Sequence, residues 1–212
     1  MYTVIDLEFN QAFDFGEKHI EPDPECRFEI IQIGAVRLDE NLKETGRFSS
    51  YIKPQIYKRL HPYVAKMTGI TADELNAAPH FAEVYEKFSA FAKNSGIYCV
   101  WGNSDIRALY RNLSYYGIVQ GDILAEYIDV QQITAKYLKY GRGRNIGLKN
   151  AVEMFEMETD IPFHNALSDA IYTAKVMQKV YTGGGIRVFN SKHIPKRSAN
   201  GKKKTGNAGF NN

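Results

Sequence analysis

The stretch VIDLEF, residues 4–9, sets two acids, Asp6 and Glu8, into an otherwise apolar segment. Tyr2, Val4 and Ile5 supply strand character, and in a strand residues two apart project from the same face. Asp6 and Glu8 therefore point the same way, within a few ångströms of each other. Held near a core, two such carboxylates repel and lose hydration unless something positive sits between them. Two arrangements resolve this. Either the strand ends at Val4 and lets both acids into water, or the pair belongs to a divalent-cation site that takes further acids from elsewhere in the chain.

Two further acids stand where they can join it. Asp105 opens a helix that follows the short apolar strand IYCVW, residues 97–101, at the strand end where open α/β sheets bind ligands. Read singly, it is equally an acid complementing the dipole of its helix, and the same holds for Asp169 in the first turn of the last long helix. His164 precedes Asp169 in PFHNALSDA. Five residues at about 100° each would leave the two about 140° apart on one helix. They converge only if His164 lies on the loop entering that helix, and Pro162 favours this by discouraging regular helix before it. As a lone residue, His164 is a surface or core-edge histidine.

The elements that must position these groups are legible in outline. FEIIQIGAVRL (Phe28–Leu38) reads as a buried strand, followed by a turn at residues 39–43 and a third strand over residues 47–52. With the first strand these make an antiparallel meander. Thr71 and Glu74 form a capping box, and Phe81, Val84, Tyr85, Phe88 and Phe91 recur at helical spacing. After the strand at residues 97–101, Asn103 or Ser104 caps a helix with Ile106, Leu109, Tyr110 and Leu113 inside and Gly117 as its stop. YIDVQQI, residues 127–133, is the expected fifth strand, and helices over residues 148–155 and 166–181 follow. Strands in a meander, then alternating with helices, describe an α/β fold with a five-stranded mixed sheet flanked by helices. Residues 10–25, with five acids and two prolines, read as a long loop.

The 212 residues, 44% of them hydrophobic, suffice for one domain with a real core. Cys26 and Cys99 belong to no disulfide scaffold or zinc-type cluster, which suggests a reducing compartment. No apolar stretch approaches the length of a membrane span and no secretory pattern opens the chain, so a cytoplasmic, non-membrane protein is expected. The formal net charge of +3 is unevenly spread. Residues 183–212 hold seven of the 27 Lys and Arg and no acid, so residues 1–182 carry 20 bases against 24 acids. The expected organisation is a mildly acidic domain, residues 1–182, and a flexible basic tail behind a GGG hinge, able to contact phosphates in a salt-dependent way.

As a set, DxE on the first strand, Asp after the fourth and HxxxxD at the last helix resemble the DEDDh family of 3′ to 5′ exonucleases, with the three-layer ribonuclease H-like fold. The resemblance runs from about Thr3 to Val180 and includes EIIQIGAV on the second strand, YIKP on the third, KMTGIT in the loop after it, and LKNAVEMF before His164. It is strongest to the ERI-1-like and KapD-type branch, where DLEF stands in place of the DTETTG of proofreading subunits. The DEDDy pattern would want Tyr where Asn165 stands.

The resemblance implies two Mg²⁺ or Mn²⁺ ions, bridged by Asp6, the first completed by Glu8 and Asp169 and the second served by Asp105 through water. It implies His164 as the base that takes a proton from the attacking water, and single-stranded 3′ ends of RNA or DNA as substrate, tilted toward RNA or short oligonucleotides. Phe9, Met67, Asn103 and Arg144 are the candidate substrate contacts. Phe9 and Met67 read equally as core, and Arg144 belongs to a basic run with Lys136, Lys139, Arg142 and Lys149 that reads equally as a solvated face. A different class of function is an exonuclease-fold regulatory or nucleic-acid-binding protein acting through partners. Loss of a ligand would favour it, and all five residues are present.

Overall fold

A computed structural model describes residues 1–93, 95–118, 126–141, 145–181 and 188–190 of the chain. Strands β1 (Tyr2–Gln11), β2 (Phe28–Leu38) and β3 (Glu44–Tyr51) precede helices α1 (Pro62–Thr68), α2 (Ala72–Ala77) and α3 (Phe81–Ala92). Then come β4 (Ile97–Val100), α4 (Ser104–Tyr115), β5 (Glu126–Asp129), α5 (Val130–Tyr137), α6 (Leu148–Met154), α7 (Ala166–Val180) and β6 (Val188–Asn190). The sheet order is β3-β2-β1-β4-β5-β6. β1, β2 and β3 pair antiparallel, β4 joins β1 in parallel, β5 joins β4 in parallel, and β6 closes the edge antiparallel. The expected five-stranded mixed sheet is present, with one short strand added.

Period-two alternation along β1 sorts its side chains between two helical layers. Ile5 and Leu7 enter a cluster with Ile30 and Ile33 of β2, Val84 and Phe88 of α3, and Ile106 and Leu109 of α4. Val4 enters the opposite cluster, with Tyr172, Val176 and Met177 of α7 and Val152 of α6. Asp6 and Glu8 share the side of Val4 and so face the layer of α7. β2 is buried on both faces, which accounts for its nearly unbroken apolar run.

The docking of α7 on the sheet is unusually close at one point. A Cβ placed on Gly34 would overlap the carbonyl carbon of Ala166 and the amide nitrogen of Leu167. Gly34 pairs with Asp6 in the β1–β2 register, so the first turn of α7 comes down beside that acid. The Ala166 N–H, left without an intrahelical partner at the helix start, donates to Gln32 Oε1 at 3.1 Å. Asn165 caps the same end, its Oδ1 accepting from the N–H groups of Leu167 and Ser168.

The fold departs from the sequence reading at three places. The strand expected over residues 127–133 stops at Asp129, whose side chain accepts the Gln132 N–H and starts α5. Val130, Ile133, Thr134 and Tyr137 recur at helical spacing, and that period overrides the β-branched composition. KMTGIT is partly helical: Pro62 starts α1, His61 Nδ1 accepts the Tyr63 N–H, and Gly69 ends it with φ of 73°. Within the expected tail, Val188–Asn190 pairs with β5, as the β-branched and aromatic pair Val188 and Phe189 allows. The rest of that segment lies outside the described residues.

The overlap at Gly34 has a measurable consequence. Gly34→Ala should lower the unfolding free energy by about 3 kcal/mol, the upper part of the range for overpacking, in urea denaturation. A loss below about 0.5 kcal/mol would contradict this docking.

Candidate active site

The site is assembled where β1, α4 and α7 meet. Asp6, Glu8 and Asp169 each present a carboxylate oxygen, and these atoms all lie within 4.8 Å of one another. Glu8 is only 7% exposed, as is Asp105, which sits in the first turn of α4, close enough for its charge to act on Asp6 and Glu8. Ser104 Oγ donates to Asp105 Oδ1 at 3.2 Å, and the Leu7 backbone N–H also bonds its carboxylate. That bond ties α4 to β1 between the two strand acids. Among the described residues, none of the four acids forms an ion pair with a Lys or Arg.

The electrostatic cost appears in their proton affinities. Burial, followed by the charges of Asp105, Asp169 and Glu8, holds the Asp6 carboxyl well above its ordinary range. Burial and the charges of Asp169 and Asp105 push Glu8 up to about 8. Asp105 is raised to about 7, by burial first and by Asp169 among its charged neighbours. Burial raises Asp169 to about 6, opposed by the His164 backbone N–H and by the charge of the His164 ring.

His164 stands just before α7, as its spacing from Asp169 requires. Its side chain is exposed, its backbone adopts φ of 63°, and its N–H donates to Asp169 Oδ2 at 3.2 Å. The left-handed conformation is uncommon outside glycine, and here it turns the chain so that His164 and Asp169 meet across the helix start. The other oxygen, Asp169 Oδ1, is buried with no hydrogen-bond partner. An orphaned carboxylate oxygen facing two more carboxylates is what a hard, oxygen-seeking cation requires. The residues present fit a divalent metal ion.

The four candidate substrate contacts are placed less uniformly. Phe9 packs on the side of Ile5 and Leu7, its ring centroid 6.3 Å from that of Phe28, beyond a register shift between Glu8 and Phe9. Met67 is half-buried on α1, which rests against β1. Asn103 holds the N-cap position of α4 without capping it, and its side chain bonds Tyr127 instead. Arg144 lies outside the described residues. Sequence reasoning missed Gln32, Gly34 and Ser104 as positioning groups. EIIQIGAV reads in the sequence as a buried strand and a mark of resemblance and no more, although a polar residue and a glycine inside such a strand are signals of a close backbone partner.

The chain matches the exonuclease family RNase_T over residues 3–177. It belongs to this exonuclease family. It is 28% identical over 152 residues to the DNA polymerase III PolC-type of Caldanaerobacter subterraneus subsp. tengcongensis, a match covering 72% of this chain and 10% of that one. It is 27% identical over 159 residues to the probable 3′-5′ exonuclease KapD of Bacillus subtilis, covering 72% and 73%. The nuclease domain of 3′hExo, a DEDDh family member bound to rAMP, superposes with a TM-score of 0.74 at 22% identity, over 89% of this chain and 96% of that one. The resemblance to DEDDh exonucleases read from the residues is borne out. No helix among the described residues is long and apolar enough to cross a membrane.

The crowding of acids sets a pH dependence. Each carboxyl holds its proton more tightly folded than unfolded, so the cluster favours the fold below the unfolded range near pH 4. That contribution is lost as pH rises through about 6 to 8. In EDTA the melting temperature should fall by several degrees between pH 5.5 and 8, and excess Mg²⁺ should remove most of the fall. A metal-free melting temperature that is flat or rises over this window would contradict the clustering.

Proposed function

We propose that this exonuclease removes nucleotides stepwise from the 3′ end of single-stranded nucleic acid, releasing nucleoside 5′-monophosphates, with RNA or short oligonucleotides preferred to DNA. The observation that carries the reading is the meeting of Asp6, Glu8 and Asp169 beside an exposed histidine, with Asp169 Oδ1 buried and unpartnered. Asp6, Glu8 and Asp169 would hold one divalent ion, and Asp6 with Asp105 a second, as Mg²⁺ or Mn²⁺. Bound ions would supply positive charge for the phosphodiester oxygens and a lowered pKa for water.

The chain's own groups do the rest. A ring nitrogen of His164 takes the proton of the attacking water, a role suited to histidine near neutral pH. The bond from the His164 N–H to Asp169 Oδ2 couples the position of this base to the acid cluster. Gln32 and Gly34 fix the helix start that carries both groups. The relative bound to rAMP supports the tilt toward RNA. We assign to the basic segment 183–212, on its charge alone, contacts with the phosphates of longer substrates, and to the protein a reducing, cytoplasmic setting consistent with two buried free thiols.

The test uses 5′-labelled single-stranded RNA and DNA incubated with Mg²⁺, Mn²⁺ or EDTA. A ladder shortening from the 3′ end with either metal and no change in EDTA is expected. Asp6→Asn should abolish cleavage, and cleavage within tenfold of the parent would contradict the assignment. His164→Ala should lose about 10² to 10⁴ in rate with metal affinity hardly changed. Loss of metal binding in calorimetric titration of that variant would make His164 a ligand instead of a base.

A further inference from the structure

Beyond the C-terminal end of β1 lies a cavity of about 330 Å³ between residues 10–25 and the segment after β3. Gln11 lines it, three residues past Glu8 and so about 10 Å further along the strand at roughly 3.3 Å per residue. Its wall includes Phe13, Phe15, Lys18, Lys58 and Arg59, and no acid. We propose that this cavity is a second substrate subsite, receiving a base and its phosphate from the single strand upstream of the bond being cut. The inference rests on the exonuclease reading above.

The walls are built rather than incidental. Asn10, fully buried, donates to the carbonyl oxygens of Tyr57 at 2.8 Å and Arg59 at 2.9 Å, and accepts the His61 N–H at 2.9 Å. The buried Glu29 carboxylate accepts the N–H groups of Ile56 and Tyr57. One strand residue and one buried acid thus set the backbone that presents Lys58 and Arg59, both exposed. The Arg59 guanidinium packs on the Phe15 ring, 4.0 Å from its centroid, and joins the two sides of the cavity, while Lys18 Nζ lies 6.0 Å from the same centroid.

The occupant follows from charge and shape. Residues 1–182 hold 20 bases and 24 acids, so the domain as a whole offers a polyanion no net attraction. Here three cations line one cavity, Lys18 from the loop and Lys58 and Arg59 from the segment after β3, and none forms an ion pair among the described residues. Of the acids in the same loop, Asp14 and Glu21 are engaged by His19 at 2.7 and 3.0 Å, and Glu17, next to Lys18, is exposed and does not line the cavity. Partly exposed aromatic rings beside unpaired cations are what single-stranded nucleic acid uses, since every base offers a face for stacking and every linkage a charge. The same strand that holds Asp6 and Glu8 delivers this wall, so one single strand can engage both.

The test compares a dinucleotide with an octanucleotide in Mg²⁺, for the parent, the double variant Lys58→Gln with Arg59→Gln, and Phe15→Leu. On the octanucleotide each variant should raise KM about tenfold with kcat unchanged. For the double variant the slope of log KM against log salt should shrink by about 1.4, two single-strand phosphate contacts. Dinucleotide turnover should match the parent. Equal octanucleotide KM and salt slopes, or a parallel loss on both substrates, would overturn the subsite. If the parent cleaves neither substrate, the exonuclease reading fails separately. Anisotropy of a labelled octanucleotide in EDTA then still decides the cavity: weaker binding by the variants supports it and equal binding overturns it.

Discussion

The structure depends on the contact between the first turn of α7 and the middle of β2. A side chain larger than hydrogen at Gly34 leaves no room for the backbone of Ala166 and Leu167, and Gln32 closes the approach by accepting the Ala166 N–H. Because Gly34 and Gln32 pair with Asp6 and Glu8, this seam is also the reference for the acids. Asp169 reaches them from more than 160 positions away in the chain only because the helix start is pinned there. The left-handed turn at His164 and the Asn165 cap complete the same joint.

What this joint brings together is unfavourable by itself. Three carboxylates share a space of a few ångströms, a fourth adds to the field, and burial raises all four above the ordinary acid range. The apolar clusters on the two faces of the sheet sustain the arrangement, since neither includes the acids and both remain intact around them. Function is thus held by packing against the preference of the charges, as expected where a site must be ready before its cation arrives.

Much of this was legible in the sequence, for reasons particular to each residue. Period two placed Asp6 and Glu8 on one face, and the helical angle between His164 and Asp169 put the histidine on the entering loop. Asp105 was ambiguous alone, because a helix N-terminus welcomes an acid whatever its function. Gln32 and Gly34 were visible as residue types but not as a seam, since their partners lie about 130 positions away. Composition misled at residues 130–133, where β-branched residues hid a helical spacing, and the basic count after Gly183 masked the strand character of Val188 and Phe189. The cavity beside Gln11 could not be read at all, because it joins a loop without periodicity to a segment some 40 residues downstream.

Separate elements are packed so as to make one cation site from strand and helix acids. Titration with Mn²⁺, followed by the electron paramagnetic resonance of the free ion, tests it on the parent, Asp169→Asn and Gln32→Ala. The parent should bind the ion, Asp169→Asn at least tenfold more weakly, and Gln32→Ala with a smaller loss, since Gln32 supports the helix start and is not among the acids of the site. Equal affinity in the parent and Asp169→Asn would contradict it.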